Sequence, residues 1–351
     1  MSRLSEFFPE LKIDAVLVSG LSNIRYLSGF TGDNALLLVT AGGEALFTDP
    51  RYEIQAAAEC RCAIKISKGP LIAAVAKAVA RKKLKRLGFE KARLTYASYQ
   101  ALKEALPLAS SLKPVGPLVE TLRMKKNDGE IDLIRRSVET NSLAFDSVIK
   151  RIRAGVTEND VAAELEYQMR RHGAQKPAFE TIVAFGPRTA LPHAQPTAQR
   201  LEANQLLLID MGASRAGYAS DMTRVLFLGK PETKLRQMYR AVLDAQLAAI
   251  SAVRAGITAD RVDAAARKVL KISGLEKKFV HSTGHGLGLE IHEPPRLGRK
   301  DKTLLEAGMA ITIEPGAYIE NYGGIRIEDT ILVTQSGCEV LTPTSKELML
   351  L

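Results

Sequence analysis

Apolar and polar positions alternate in two different ways along the first third of the chain. Short runs rich in Val, Leu and Ile predict strands at IDAVLVSG, ALLLVT, EALFTD and RLGFE. The second and third of these runs meet across residues 41–43, which contain two glycines, and we expect them to form a hairpin. An alanine-rich stretch from Pro70 to Lys85 is typical of a helix. Strands that alternate with helices indicate a small α/β domain.

A break in this pattern divides the chain. Two prolines and a glycine interrupt it in KPVGPLVE, residues 113–120. We therefore predict one domain over residues 1–120 and a second domain over residues 121–351. The second domain opens with a long helical pattern, for which either Asn127 or Asp128 is a suitable N-cap.

The second domain also contains an internal repeat. RAGVTENDVAAELE begins at Arg153 and RAGITADRVDAAAR begins at Arg254, an offset of 101 residues. Thr157 and Thr258 occupy equivalent positions, each two residues after a glycine and directly before a helical pattern, where an N-cap belongs. Because a pair of apolar strands follows each copy, we interpret the repeat as an internal pseudo-twofold duplication.

The strands after the first copy carry two aspartates. NQLLLIDMGASRAGYASDMTRVLFL reads as two strands around a turn centred between Arg215 and Ala216, which would place Asp210 directly opposite Asp221. Opposed residues on an antiparallel pair have Cβ atoms about 5 Å apart, so two negative charges there destabilise the sheet.

The strands after the second copy carry two glutamates in the same arrangement. A hairpin centred on Asn321 would place Glu314 opposite Glu328. Buried carboxylates without partners are costly, so four of them in two corresponding hairpins predict bound cations.

Three of the five histidines fall in HSTGHGLGLEIHEPPR, residues 281–296. His285 lies between glycines, where its backbone can approach a metal ion closely, whereas His281 is expected to be structural and His172 to cap a helix end. One imidazole and four carboxylates carry a charge of about −4, which two divalent ions balance. This oxygen-rich set favours Mn²⁺ or Co²⁺, with Zn²⁺ as an alternative. Paired ions of this kind activate water and polarise a carbonyl, which predicts a hydrolase.

Composition narrows the choice of partners. The net charge of +10 raises the possibility of a nucleic-acid binder, but the one dense basic run, ARKKLKR, follows the alanine-rich helix and is expected to be its solvated end. Three cysteines without a metal-binding spacing predict reduced thiols. The sequence shows neither a signal peptide nor a membrane-spanning run. We expect a cytoplasmic protein without a nucleic-acid or membrane partner.

The motifs LLIDMGASRAGYASDMTR, HSTGHGLGLEIHE, AITIEPGAYI and GGIRIEDT, in this order, closely resemble the pita-bread metallopeptidases. That family includes methionine aminopeptidase, aminopeptidase P, prolidase and the metal-free creatinase. IDAVLVSGLSNIRYLSGFTG and FTDPRYEIQA resemble the creatinase-type N-terminal domain of its proline-specific branch. The resemblance implies an α/β two-domain (α+β) protein, in which a creatinase-like domain precedes a pita-bread catalytic domain.

The resemblance also implies roles for individual residues. Two divalent ions would be held by five ligands: Asp210, Asp221, His285, Glu314 and Glu328. Asp221 and Glu328 would bridge the two ions. Glu314 would also shuttle protons. His193 and His292 would hold the scissile carbonyl and the tetrahedral oxyanion, and Arg326 would hold carboxylates in place.

The reaction implied is hydrolysis of Xaa-Pro peptide bonds in di- or oligopeptides by a homodimer. Arg296 lies four residues after His292 and is suited to bind the terminal carboxylate of a dipeptide, which favours a dipeptidase (prolidase) over aminopeptidase P. The alternative is that Arg296 is a solvated loop residue, since RLGRKDK is basic throughout. A catalytically silent binding protein of the same fold is a more distant alternative.

Overall fold

The computed structural model describes residues 3–351, which divide into two compact units between Arg123 and Met124. The segment 113–120 is ordered rather than a linker, since it contains the end of one strand and the start of a helix.

The first unit is a six-stranded mixed sheet with apolar clusters on both faces. Its strands are β1 (Ala15–Val18), β2 (Ala35–Thr40), β3 (Gly43–Thr48), β4 (Ala63–Ile66), β5 (Arg86–Glu90) and β6 (Ser111–Val115), in the order β4-β3-β2-β1-β5-β6. Its helices are α1 (Phe8–Leu11), α2 (Leu21–Ser28), α3 (Glu53–Glu59), α4 (Leu71–Arg81), α5 (Tyr96–Ala105) and α6 (Leu118–Met124). The predicted hairpin of β2 and β3 is confirmed, with Thr40 paired to Gly43.

The alanine-rich helix is shorter than predicted. Helix α4 ends at Arg81, and Lys83 adopts a left-handed backbone (φ 54°), which no α-helix continues through. The basic run therefore lies mostly in the exposed turn between α4 and β5. Cys60, Cys62 and Cys338 are free cysteines.

The second unit packs four long helices against several sheets. The helices are α7 (Asp128–Ile149), α8 (Glu158–Arg171), α9 (Thr233–Ala252) and α10 (Ala259–Ile272). The strands are β7 (Lys176–Pro177), β8 (Ile182–Phe185), β9 (Gln205–Met211), β10 (Ala213–Arg215), β11 (Tyr218–Ala219), β12 (Met222–Leu228), β13 (Gly284–Gly286), β14 (Glu293–Leu297), β15 (Ala310–Ile313), β16 (Gly316–Ile319), β17 (Gly323–Arg326), β18 (Asp329–Val333), β19 (Cys338–Val340) and β20 (Met349–Leu350). Asn127 is the N-cap of α7, where its side chain and that of Glu130 form a reciprocal capping box.

The internal duplication is confirmed in backbone detail. Helices α8 and α10 each span 14 residues, and His172 lies at the C-cap of α8 as predicted. Before each helix a glycine adopts a left-handed backbone, Gly155 at φ 91° and Gly256 at φ 84°. The Gly155 N–H donates to the Leu201 carbonyl and the Gly256 N–H to the Leu305 carbonyl, both at 2.8 Å. The two halves of the unit therefore share one local scaffold.

The two copies differ at their helix caps. Thr157 accepts a hydrogen bond from the Asp160 N–H at 3.0 Å, and the Asp160 carboxylate accepts from the Thr157 N–H at 3.0 Å. Thr258 holds the same N-cap position, but its hydroxyl donates to the Asp260 carboxylate at 2.5 Å and accepts no backbone N–H of the helix. Only the first copy therefore has a side chain that satisfies a free helix donor.

We expect Thr157→Ala to lower the free energy of unfolding by about 1 kcal/mol, the usual cost of a lost N-cap. Thr258→Ala is the matched control and should cost clearly less. The measurement is the urea unfolding midpoint of metal-loaded protein. Equal losses for the two variants would contradict the difference between the caps.

Candidate active site

The first aspartate-bearing hairpin turns one residue later than predicted. Arg215 pairs with Tyr218, and both central residues have positive φ, Ala216 at 49° and Gly217 at 81°. A two-residue turn with both φ values positive matches the right-handed twist of its strands and favours glycine at the second central position. Gly217 therefore determines where the chain reverses, and the predicted centre between Arg215 and Ala216 is wrong.

This shift changes the partners of both aspartates. Asp210 in β9 pairs with Thr223 in β12, so Asp210 and Asp221 are not directly opposed, contrary to the prediction. Asp221 lies in the break between β11 and β12 rather than inside a strand. The two carboxylates still interact, because the charge of Asp210 contributes to the raised pKa of Asp221.

The glutamate-bearing hairpin has the predicted register. Asn321, at φ 59°, lies at its centre, and Gly316 pairs with Arg326. Since β15 and β18 continue the same register, Glu314 and Glu328 face each other in the short breaks between the paired strands.

His285 in β13 points its Nε2 atom at these carboxylates. That atom lies 3.6 Å from Asp221 Oδ2 and 3.5 Å from Glu314 Oε1. The Nδ1 atom lies 3.0 Å from the Gly286 carbonyl, to which only a protonated Nδ1 can donate. The Nε2 lone pair therefore faces the carboxylates. Asp221, His285 and Glu328 offer ligand atoms that all lie within 4.8 Å of one another.

Burial dominates the electrostatics of this cluster. It raises the pKa of Glu314 to about 8 and that of Asp221 and Glu328 well above the usual range, and neighbouring carboxylates add to each shift. Burial also lowers the pKa of His285 to about 4, which keeps the imidazole neutral. Buried carboxylates beside a neutral imidazole form a donor set that fits divalent cations.

Asp210 gives an independent test of that fit. Its Oδ2 atom accepts a hydrogen bond from Arg326 at 2.5 Å. Its Oδ1 atom is fully buried and has no hydrogen-bond partner among residues 3–351. A buried carboxylate oxygen left without a donor is costly in a native protein, and a cation would satisfy it.

A hydrogen-bonded network centred on Arg326 supports the cluster. Arg326 is 3% exposed and donates to the Tyr318 hydroxyl at 2.7 Å and to the Thr223 hydroxyl at 3.0 Å, as well as to Asp210. Thr223 in turn donates to Glu328 Oε2 at 2.7 Å. One guanidinium therefore orients one carboxylate directly and a second through a threonine.

Tyr318 and Thr223 were not singled out from the sequence. Both hydroxyls lie in apolar strand segments, where a buried hydroxyl needs a hydrogen-bond partner. A hydroxyl residue within an apolar run was therefore the sequence signal that could have pointed to them. His281, expected to be structural, also contacts this network: its Nε2 lies 2.8 Å from the Tyr318 hydroxyl and its Nδ1 lies 4.0 Å from Glu314 Oε2.

A buried ion pair fixes the segment that carries His292. Glu293 accepts from Lys126 at 3.1 Å, and both side chains are 1% exposed. The other carboxylate oxygen of Glu293 accepts the Glu290 N–H at 3.0 Å, which closes the loop before the histidine.

The carboxylate cluster lies at the floor of a cleft of about 800 Å³. All of the predicted site residues line it: His193, Asp210, Asp221, His285, His292, Arg296, Glu314, Arg326 and Glu328. His193, His292 and Arg296 are exposed, so their side chains are accessible from solvent. The His292 ring meets the edge of His285 at a centroid distance of 4.5 Å, and Arg296 pairs with His285 across β13 and β14.

Each unit matches a known protein family. Residues 1–125 match the creatinase/prolidase N-terminal domain, and residues 132–335 match metallopeptidase family M24. The chain belongs to metallopeptidase family M24. The resemblance inferred from the sequence motifs and the two-domain α/β fold class are confirmed.

Several relatives match this M24 metallopeptidase over nearly its whole length. The chain is 38% identical to an Xaa-Pro dipeptidase of Pyrococcus furiosus over 99% of each protein. A solved Xaa-Pro dipeptidase from Bacillus anthracis is 41% identical, with a TM-score of 0.97 over 99% of this chain and 98% of that one. A solved X-Pro aminopeptidase from Thermotoga maritima is 34% identical, with a TM-score of 0.91 over 99% of this chain and 100% of that one. Within residues 3–351, no helix combines the length and apolar character that a membrane span requires.

Metal removal should make the stability of this M24 metallopeptidase depend on pH. In the metal-free protein the pKa of Glu314 rises from 4.5 to about 8 on folding, so the folded state binds more protons between those values. Stability should therefore fall as pH rises from about 5 to about 8. With saturating Mn²⁺ the carboxylates are ionised and compensated, so the fall should be much smaller.

The measurement is the urea unfolding midpoint at pH 5.5 and pH 8, in EDTA and in Mn²⁺. The midpoint should fall between pH 5.5 and pH 8 by more in EDTA than in Mn²⁺. A fall in EDTA no larger than the fall in Mn²⁺ would contradict the assigned electrostatics.

Proposed function

We propose that the protein is a metal-dependent Xaa-Pro dipeptidase. The observation that carries the proposal is the composition of the cleft. Its lining combines the carboxylate cluster and His285 with three exposed side chains, those of His193, His292 and Arg296. The names of the Pyrococcus furiosus and Bacillus anthracis relatives support it.

The proposed cofactor is a pair of divalent ions, with Mn²⁺ or Co²⁺ favoured by the oxygen-rich donors and Zn²⁺ as an alternative. The residues that would hold them are Asp210, Asp221, His285, Glu314 and Glu328. Such ions supply Lewis-acid polarisation of the scissile carbonyl and lower the pKa of water. The buried, unpartnered Asp210 oxygen and the orientation of His285 support this assignment.

Protons and developing charge are assigned to other side chains. Glu314 would accept the proton of the attacking water and deliver it to the proline nitrogen as the bond breaks. His193 and His292 would donate hydrogen bonds to the substrate carbonyl and to the oxyanion that forms from it. Arg326 would not touch the substrate, and its contacts with Asp210, Thr223 and Tyr318 would hold the site rigid.

Arg296 would determine the length of the substrate. Its only side-chain hydrogen bond among the described residues is from Nε to the Ser282 hydroxyl, at 3.3 Å. The rest of the guanidinium is free to bind the terminal carboxylate of a dipeptide in a bidentate manner.

An Xaa-Pro aminopeptidase is the second candidate. The Thermotoga maritima neighbour carries that name, and Arg296 is exposed rather than enclosed at the end of the cleft. A catalytically silent protein is disfavoured, because all five residues assigned as ligands are present. We also propose a cytoplasmic homodimer that acts on peptides and has no nucleic-acid or membrane partner.

Asp221→Asn should abolish both metal loading and turnover, because it removes one buried negative charge from the ion site. His292→Ala is the matched comparison. It should retain metal and lower kcat by about 10²-fold to 10³-fold, as loss of one oxyanion donor does.

Metal content by elemental analysis and Ala-Pro hydrolysis measure the two effects. Near wild-type activity in Asp221→Asn with two bound ions would refute the ligand assignment. Loss of metal from His292→Ala would make His292 a ligand instead.

Metal-loaded enzyme should cleave Ala-Pro faster than Ala-Pro-Ala, in assays with Mn²⁺, Co²⁺ and Zn²⁺. Arg296→Ala should raise KM for Ala-Pro far more than for the tripeptide, because only the dipeptide places its carboxylate at the guanidinium. Steady-state kinetics on both peptides test this, and a wild-type preference for the tripeptide would favour the aminopeptidase.

A further inference from the structure

A second cavity, of about 810 Å³, shares a wall with the catalytic cleft. Four residues line both cavities: His281, Ser282, Arg296 and Asp301. Arg296 thus lies at the junction between the two cavities. A peptide chain that continued past Arg296 from the first cavity would therefore reach the second.

The wall of the second cavity is rich in cations. Its basic residues are Arg267, Arg296, Arg299, Lys300 and Lys302, and Asp301 is the one acidic residue among those that line it. Asp301 is already engaged, since its two carboxylate oxygens accept the backbone N–H groups of Arg296 at 3.0 Å and Thr303 at 2.9 Å. These two hydrogen bonds hold the loop in place, and Asp301 forms no ion pair with the cations of the wall among residues 3–351.

Three of the five cations have partners within the protein. Arg267 pairs with Asp263 at 2.7 Å, Arg299 pairs with Glu276 at 3.2 Å, and Lys302 pairs with Asp260. These ion pairs reduce the net charge that a ligand meets.

The two remaining cations, Arg296 and Lys300, differ in the cavities that they line. Neither Arg296 nor Lys300 forms an ion pair within residues 3–351, and both are exposed. Arg296 borders the catalytic cleft, where the dipeptide carboxylate is proposed to bind. Lys300 lines only the second cavity, so it is available to a group beyond the proline.

We propose that this second cavity is a subsite for an acidic residue that directly follows proline, with Lys300 as its principal charged contact. The proposal rests on the Xaa-Pro cleavage proposed above and concerns peptides that continue past the proline. Peptides of the form Xaa-Pro-Asp or Xaa-Pro-Glu bind better than neutral ones, and a basic residue at that position binds worst.

The test compares three peptide amides that lack a terminal carboxylate, Ala-Pro-Asp-NH₂, Ala-Pro-Asn-NH₂ and Ala-Pro-Lys-NH₂. Each is measured as a competitive inhibitor of Ala-Pro hydrolysis by the metal-loaded enzyme, so the result does not depend on whether the amides are cleaved. Asp and Asn have nearly the same shape, so the difference in Ki between their peptides isolates the effect of the charge.

We expect Ki for the Asp peptide to be about threefold to fivefold lower than for the Asn peptide at low salt, as for an exposed ion pair. The difference should shrink as salt is added.

Lys300→Met should reduce the difference between the Asp and Asn peptides to below about twofold. Lys271→Met is the matched control, because Lys271 is an exposed lysine on α10 that lines neither cavity, and it should leave the difference intact. Both variants should hydrolyse Ala-Pro as the wild type does.

Equal Ki values for the Asp and Asn peptides, no inhibition by any amide, or an equal effect of Lys271→Met and Lys300→Met would each overturn this subsite. In all three cases Ala-Pro is still hydrolysed and the dipeptidase proposal stands. Failure of the enzyme to cleave Ala-Pro with any metal would instead refute the proposed function.

Discussion

The cost of holding four carboxylates on one cleft floor governs the design of the second unit. Asp221 and Glu328 are buried, and burial raises the pKa of both. Among residues 3–351, one guanidinium is hydrogen bonded to a carboxylate of this floor, that of Arg326 to Asp210. One positive charge does not offset four negative ones, so the folded protein depends on cations or on protons to keep the floor intact. The neutral, oriented imidazole of His285 points to cations.

The duplicated scaffold explains how such a floor is assembled. Two helix-and-hairpin units each contribute a pair of carboxylates, and their backbone hydrogen bonds correspond, as at Gly155 and Gly256. The chemistry is not symmetric, because His285 and Arg326 come from the second half alone. A repeated backbone therefore supplies the acidic residues, and local differences in sequence supply the groups that orient them.

How far the sequence predicts this arrangement varies from one residue to another. The Glu314 and Glu328 register was predictable, because Asn321 marks a symmetric turn between two clear apolar runs. The Asp210 and Asp221 register had a subtler signal, since only the position of Gly217 as second central residue marks the turn, and the prediction missed it by one residue. The end of α4 was also misplaced, since Lys and Arg favour helices and nothing local marks Lys83 as left-handed. The partners of hydroxyl groups depend on tertiary packing, so the links from Arg326 through Tyr318 and Thr223 had no sequence pattern to reveal them.

Arg326 makes one further contact, a hydrogen bond at 3.2 Å to the carbonyl of Pro192, the residue before His193. A single side chain therefore touches both the carboxylate floor and the loop that carries His193. Two sites that share an ordering element are thermodynamically coupled, and the coupling is reciprocal. Under the proposed assignment, bound ions would strengthen peptide binding through Arg326, and a bound peptide would strengthen ion binding by the same free energy. In the cell, scarcity of metal and scarcity of substrate would then reinforce each other in emptying the enzyme.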